Sequence, residues 1–91
     1  MKKCMDVNAI NARLKKIEGQ VRGIQKMVND DKPCEDIIIQ IGAVKSALHK
    51  TSQVILEGHM HHCVLEGLVD GKEDETINKL ISALNQFSKI I

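Results

Sequence analysis

Residues 34–70 read CEDIIIQIGAVKSALHKTSQVILEGHMHHCVLEGLVD and contain no proline. Whether this stretch is one helix decides the fold. The isoleucine-rich IIIQI at 37–41 favours a strand by β-propensity, yet it is short and lacks the turn residues that bound a strand. Ile37, Ile41, Val44, Leu48, Ile55 and Leu65 keep a helical rhythm instead, which predicts one long helix over about 34–69. Gly58 and Gly67 weaken the pattern toward its end, each costing about 1 kcal/mol against alanine in a helix interior.

Upstream, Val7, Ile10, Leu14, Ile17, Val21, Ile24 and Val28 alternate at three- and four-residue spacing, the seam of an amphipathic helix over about 7–29. Asp6 is placed to cap its N-terminus. NDDKP at 29–33 stops it, and Pro33 suits the first turn of the next helix, where a missing N–H costs nothing. Downstream, DGKED at 70–74 is a turn, and Ile77, Leu80, Ile81, Leu84 and Phe87 mark a third helix over about 74–88. The reading is an all-α chain, residues 1–91 forming a single three-helix domain without repeats or linkers.

Composition limits what such a chain does alone. It has one Phe, no Trp and no Tyr in 91 residues, so the core must come from aliphatic side chains and is thin, which points to obligate oligomerisation. No run reaches the roughly 18 apolar residues of a membrane span, and no signal-peptide pattern opens the chain. A cytoplasmic address without membrane partners is expected, and there three cysteines are thiols with a task rather than a disulfide framework. A formal charge of +1 neither argues for nor against nucleic acid, so any such contact must rest on local placement of basic residues. No glycine-rich phosphate loop, nucleophile–base order or perturbed carboxylate pair argues for an enzyme.

The soft ligands concentrate in GHMHHCVLEG, residues 58–67. His59 and Cys63 are four apart, one turn along the same helix face, and make a two-ligand clamp. Cys34 lies 25 positions before His59, which is about 37 Å along a continuous helix. No metal bridges that within one chain, but an antiparallel second copy sets Cys34 beside the partner's 59–63 turn and creates two equivalent sites per dimer. Gly42, Ala43, Ser46 and Ala47, two i, i+4 pairs of small residues near the midpoint, would let the helices approach closely. Two thiolates and one imidazole suit Cu(I) as a trigonal set; Zn would want a fourth ligand, for which His62 and Cys4 are candidates. Neighbouring positions on a helix point about 100° apart, so His61 is expected to face solvent. His49 reads as a polar surface residue, and Met27 and Met60 as core filler.

Three segments, RLKKIEGQVRGIQKMV (13–28), PCEDIIIQIGAVKSALHK (33–50) and the Cys34/His59/Cys63 spacing, closely resemble the copper-sensing CsoR repressors. The wider family includes the RcnR nickel/cobalt, FrmR formaldehyde and CstR persulfide sensors. The resemblance runs from about residue 8 into the third helix. It implies a dimer built as an antiparallel four-helix bundle, a tetramer made of two dimers, and a repressor that holds operator DNA without a helix-turn-helix. It also implies an inducer site between subunits that releases the DNA. Cys34, His59 and Cys63 match the family's Cu(I) ligands, and Arg13 and Lys50 match basic positions implicated in DNA binding. The copper pattern is distinguished by His59 and Cys63 together: the persulfide branch lacks the histidine, and the formaldehyde and nickel/cobalt branches lack the second cysteine. Two positions depart from it. Lys79 stands where copper sensors carry a glutamate that couples the ligand histidine to the DNA face, and Pro33 where they carry a tyrosine.

Arg13, Lys15, Lys16, Arg22 and Lys26 would make an ordinary solvated face of the first helix. With the resemblance, Arg13 and Lys16 gain a second role, and Lys45 and Lys50 extend the same surface. Such contacts bind phosphate, are salt-dependent, and leave specificity largely to DNA shape. The expected function is therefore a Cu(I)-responsive repressor bound to operator DNA in its metal-free form. Alternatives are a sensor of Zn, Ni/Co, formaldehyde or persulfide on the same fold, or a helical metal-storage or delivery protein without DNA.

Overall fold

The computed structural model describes residues 5–90; Met1 to Cys4, Ile91 and the side chain of Cys63 lie outside that description. Helix α1 spans Val7–Asn29 and α2 spans Cys34–Gly58. The backbone then runs on through a six-residue π turn, His59–Val64, into α3, Leu65–Val69. Helix α4 covers Glu73–Ser88. Three helical rods result, with no strand among the described residues, because α2, the π turn and α3 form one continuous rod.

Local chemistry sets the ends. Asp6 accepts a hydrogen bond on Oδ1 from the Ala9 N–H at 3.1 Å, filling the N-cap role expected of it. At the other end of α1, Asp31 takes a left-handed backbone (φ 57°), its N–H donates to the Val28 carbonyl, and the Lys32 N–H donates to Met27. That pair of bonds is a Schellman stop. Gly71 (φ 75°) closes α3 in the same way, with the Gly71 N–H to Leu68 and the Lys72 N–H to Gly67. Pro33 directly precedes Cys34, and its carbonyl accepts from the Asp36 and Ile37 N–H groups.

The turn at Asp30 and Asp31 folds α1 back along α2 as an antiparallel hairpin. Burial picks out its rungs. Ile10, at 5 % exposure, lies level with Thr51 at 3 %; Ile17, at 7 %, lies level with Val44; half-buried Ile24 lies level with Ile37. Each of these series repeats every seven residues, the spacing of a bundle seam. Helix α4 returns along the second half of the rod, Thr76 packing at Gly67 and Phe87 at His49. The molecule thus has a three-helix end and a two-helix arm.

The shape is elongated, 57 × 25 × 13 Å, with a radius of gyration of 17.2 Å. A compact chain of this length would have a radius near 12 Å. Its surface, 6859 Å², exceeds the roughly 5,300 Å² expected of a folded monomer of this mass. No large side chain is fully buried among the described residues, which is the thin core that composition implied.

Two expectations need correcting. His49 is half-buried rather than a surface residue, its ring tilted against Phe87 with centroids 5.1 Å apart, because α4 lies over that level of α2. Met60, on the π turn, is exposed rather than core filler, whereas Met27 is half-buried.

Candidate metal site

His59 opens the π turn directly after Gly58, and its backbone N–H reaches the Ile55 and Leu56 carbonyls. A π turn bonds i to i+5 and inserts an extra residue into the helix, a distortion found most often at functional positions. Cys63 keeps its place one turn after His59 in this widened segment. His59 is half-buried, and it lines a cavity of about 600 Å³ between the start of α1, the second half of α2 and α4. Val7, Ile55, Leu56 and Phe87 form its apolar walls.

Cys34 sits at the opposite end of α2, exposed, on the first helical position of the arm. The whole of α2 separates it from His59, and no cluster of three potential ligands forms among the described residues. Within one chain the proposed ligands therefore do not meet, as the helical rise requires. His61 and His62 both face solvent on the π turn. Cys4 and the Cys63 side chain lie outside the described residues.

The donor chemistry fits a soft ion. Thiolate and imidazole together suit Cu(I) or Zn, and His59 lines a cavity with mostly apolar walls. Lys79, where the resemblance gave a departure from the copper-sensor pattern, is among the residues lining the same cavity. Its ammonium lies 3.0 Å from the Glu75 carboxylate one turn earlier in α4. The hydrogen bond from Lys79, then its charge and that of Lys72, hold the Glu75 carboxyl below the ordinary carboxylate range. Ser82 and Gln86 lie on the same stripe of α4 and line the same cavity. Sequence reading missed both; the signal was present as polar residues three and four apart along the edge of an apolar helix face.

The basic residues are arranged by the hairpin. Counted from the turn at Asp30 and Asp31, Lys16 and Lys45 lie at equal sequence distance along the antiparallel helices, and Arg13 and Lys50 at nearly equal distance. All four residues are exposed, and among the described residues none has a carboxylate within 4.0 Å. Arg22, by contrast, faces Glu18 at 3.8 Å on its own helix.

Comparison with known proteins agrees with this architecture. The family model described as metal-sensitive transcriptional repressor matches residues 6–86. The chain is 42% identical to the copper-sensing transcriptional repressor CsoR of Bacillus subtilis over 88 residues, covering 97% of this chain and 87% of that protein. Its fold superposes on the crystal structure of the copper-sensing repressor CsoR with Cu(I) from Geobacillus thermodenitrificans at a TM-score of 0.86 and 41% identity, covering 91% of this chain and 86% of that one. The nickel-responsive transcriptional regulator InrS superposes with a TM-score of 0.83 at 32% identity, covering 91% and 93%.

Proposed function

The chain belongs to the family of metal-sensitive transcriptional repressors, not to an enzyme family, and on that premise we propose that it is a Cu(I)-responsive repressor. In this reading the metal-free protein holds operator DNA. Cu(I) then binds between subunits, to Cys34 of one protomer and His59 and Cys63 of its partner, and weakens the DNA-binding conformation. The observation that carries it is the separation of Cys34 from His59 by the full length of α2 in a protomer with an unfinished core. A second, antiparallel copy answers both at once.

The open seams support that assembly. Val7, Leu14, Val21 and Val28 form an exposed heptad stripe on α1, and Ile41 and Leu48 one on α2. Packing two hairpins through these stripes gives a four-helix bundle, and two such dimers a tetramer working in the cytoplasm. No helix of the described residues is long and apolar enough to cross a membrane. Arg13, Lys16, Lys45 and Lys50 then supply phosphate contacts on the bundle surface, and binding falls with salt. A coupling of about 1–3 kcal/mol would change DNA affinity roughly 5–150-fold, and DNA would weaken Cu(I) binding by the same factor.

The likeness to InrS favours a second reading, a nickel sensor on the same fold. Nickel wants more nitrogen or oxygen donors than Cu(I); exposed His61 and His62 or Cys4 would have to supply donors. An anaerobic titration of the reduced protein on its promoter, followed by anisotropy with Cu(I), Zn, Ni and formaldehyde in parallel, separates the readings. Release at one Cu(I) per protomer and with no other inducer is expected. Cys34→Ala should stay on DNA when Cu(I) is added; release with wild-type affinity would overturn the ligand assignment.

A further inference from the structure

We infer that Lys79 makes the site selective by charge, favouring a univalent over a divalent ion. The inference rests on the Cys34, His59 and Cys63 site proposed above. Among the described residues, Lys79 is the one fully charged residue on the wall of the cavity that His59 lines, and the others there are apolar or neutral. Two thiolates and a neutral imidazole around Cu(I) carry one net negative charge. The same two thiolates around Zn(II) or Ni(II), with neutral imidazoles such as His62 as the added donors, carry none. A cation on the wall that His59 also lines therefore stabilises the Cu(I) complex and leaves the divalent complexes nearly unaffected. The Lys79 side chain is 67 % exposed, so solvent and salt screen that interaction and its effect is largest at low ionic strength.

Both kinds of ion displace the same thiol protons, so proton release cancels when they are compared at one pH. Glu75 modulates the effect. Its carboxylate lies 3.0 Å from the Lys79 ammonium and attenuates the field of that cation. The copper-sensor pattern has a glutamate at this position, and a lysine reverses the charge there. Lys79 cannot accept the imidazole N–H as a carboxylate would; its contribution is electrostatic.

Cu(I) and Zn(II) affinities of the reduced protein, measured anaerobically by chelator competition at low and high salt, test this. Lys79→Glu should lower the ratio of Cu(I) to Zn(II) affinity about tenfold at low salt and by less at high salt. Lys79→Arg should preserve the ratio, and Glu75→Gln should raise it. Circular dichroism and sedimentation on each variant establish that fold and assembly are kept. An unchanged ratio in Lys79→Glu, or equal loss of both metals, overturns the inference while leaving the site standing. Cys34→Ala distinguishes the other failure: if it binds Cu(I) as the wild type does, the site reading falls and the inference falls with it.

Discussion

Gly42 and Gly67 lie on the same helical rod and do opposite things. A Cβ built at Gly67 would collide with the Thr76 hydroxyl and stand 3.0 Å from its Cβ and Cγ2, so the glycine lets α4 close onto α3. A Cβ at Gly42 meets nothing within 4 Å. At Gly67 the close approach is thus used within the chain, while at Gly42 the arm leaves it unused. The contrast is local to the two glycines, since Ile38 on the arm is 67 % exposed and Val69 at the end of α3 is 84 % exposed. A bare glycine in open space is helix stability given up at roughly 1 kcal/mol, and nothing in its own chain repays it.

Gly42→Leu should therefore break the comparison most forcefully. If the arm is where two copies cross, an overpacked site costs about 1–3 kcal/mol, and twofold symmetry imposes it twice. Sedimentation should show dissociation of the assembly, with helical content per chain kept or raised because leucine is the better helix former. An assembly as tight as the wild type would mean that the helices cross elsewhere. Gly67→Ala is expected to act within the protomer, destabilising it by about 1–3 kcal/mol in denaturant melts through the clash with stiff, β-branched Thr76. Adding Thr76→Ala should recover part of that loss, since the two sites are in contact and their effects should not add. Additive losses would show that the α3–α4 closure is looser than the glycine contact implies.

The seams explain why the long helices were legible and their packing was not. Val7 through Val28 marks one apolar stripe in sequence, but the stripe has two edges. Ile10, Ile17 and Ile24 face α2, while Val7, Leu14, Val21 and Val28 stay open. Hydrophobicity is the same on both edges, so pattern alone does not tell a partner helix in the chain from one in another chain. Helix α4 behaves likewise: Thr76, Leu80, Ala83 and Phe87 pack, while Ile77, Ile81 and Leu84 remain exposed. The separation of Cys34 from His59 followed from helical rise alone. The π turn did not follow from anything in HMHHCV, because its extra residue is tolerated by backbone hydrogen bonding rather than demanded by side-chain type. His49 looked solvated for a related reason: only the return path of α4, set by the Gly71 stop and the Gly67–Thr76 closure, brings Phe87 to its level.

Two helix ends sharpen the comparison with smaller effects. At the three-helix end, Asp6→Ala removes the acceptor of the Ala9 N–H and should cost about 1 kcal/mol. The loss should appear in thermal melts at every protein concentration if the start of α1 is held by its own chain. A loss confined to dilute samples would put that end in the intersubunit contact instead.

The smallest effect belongs to the tip of the arm. Asp31 holds the left-handed position of the Schellman stop at φ 57°, while its neighbour Asp30 holds ordinary backbone at φ −86°. A left-handed residue with a Cβ carries about 1–2 kcal/mol of strain, less for aspartate than for most. Glycine relieves it, but its freer unfolded chain takes back about 0.4–1 kcal/mol. Asp31→Gly should therefore raise stability by about 0.5 kcal/mol, while Asp30→Gly, with no strain to relieve, should lower it by a similar amount. If both variants lost stability, the tip would be held by something other than its own turn, and the arm would owe even its hairpin to a partner.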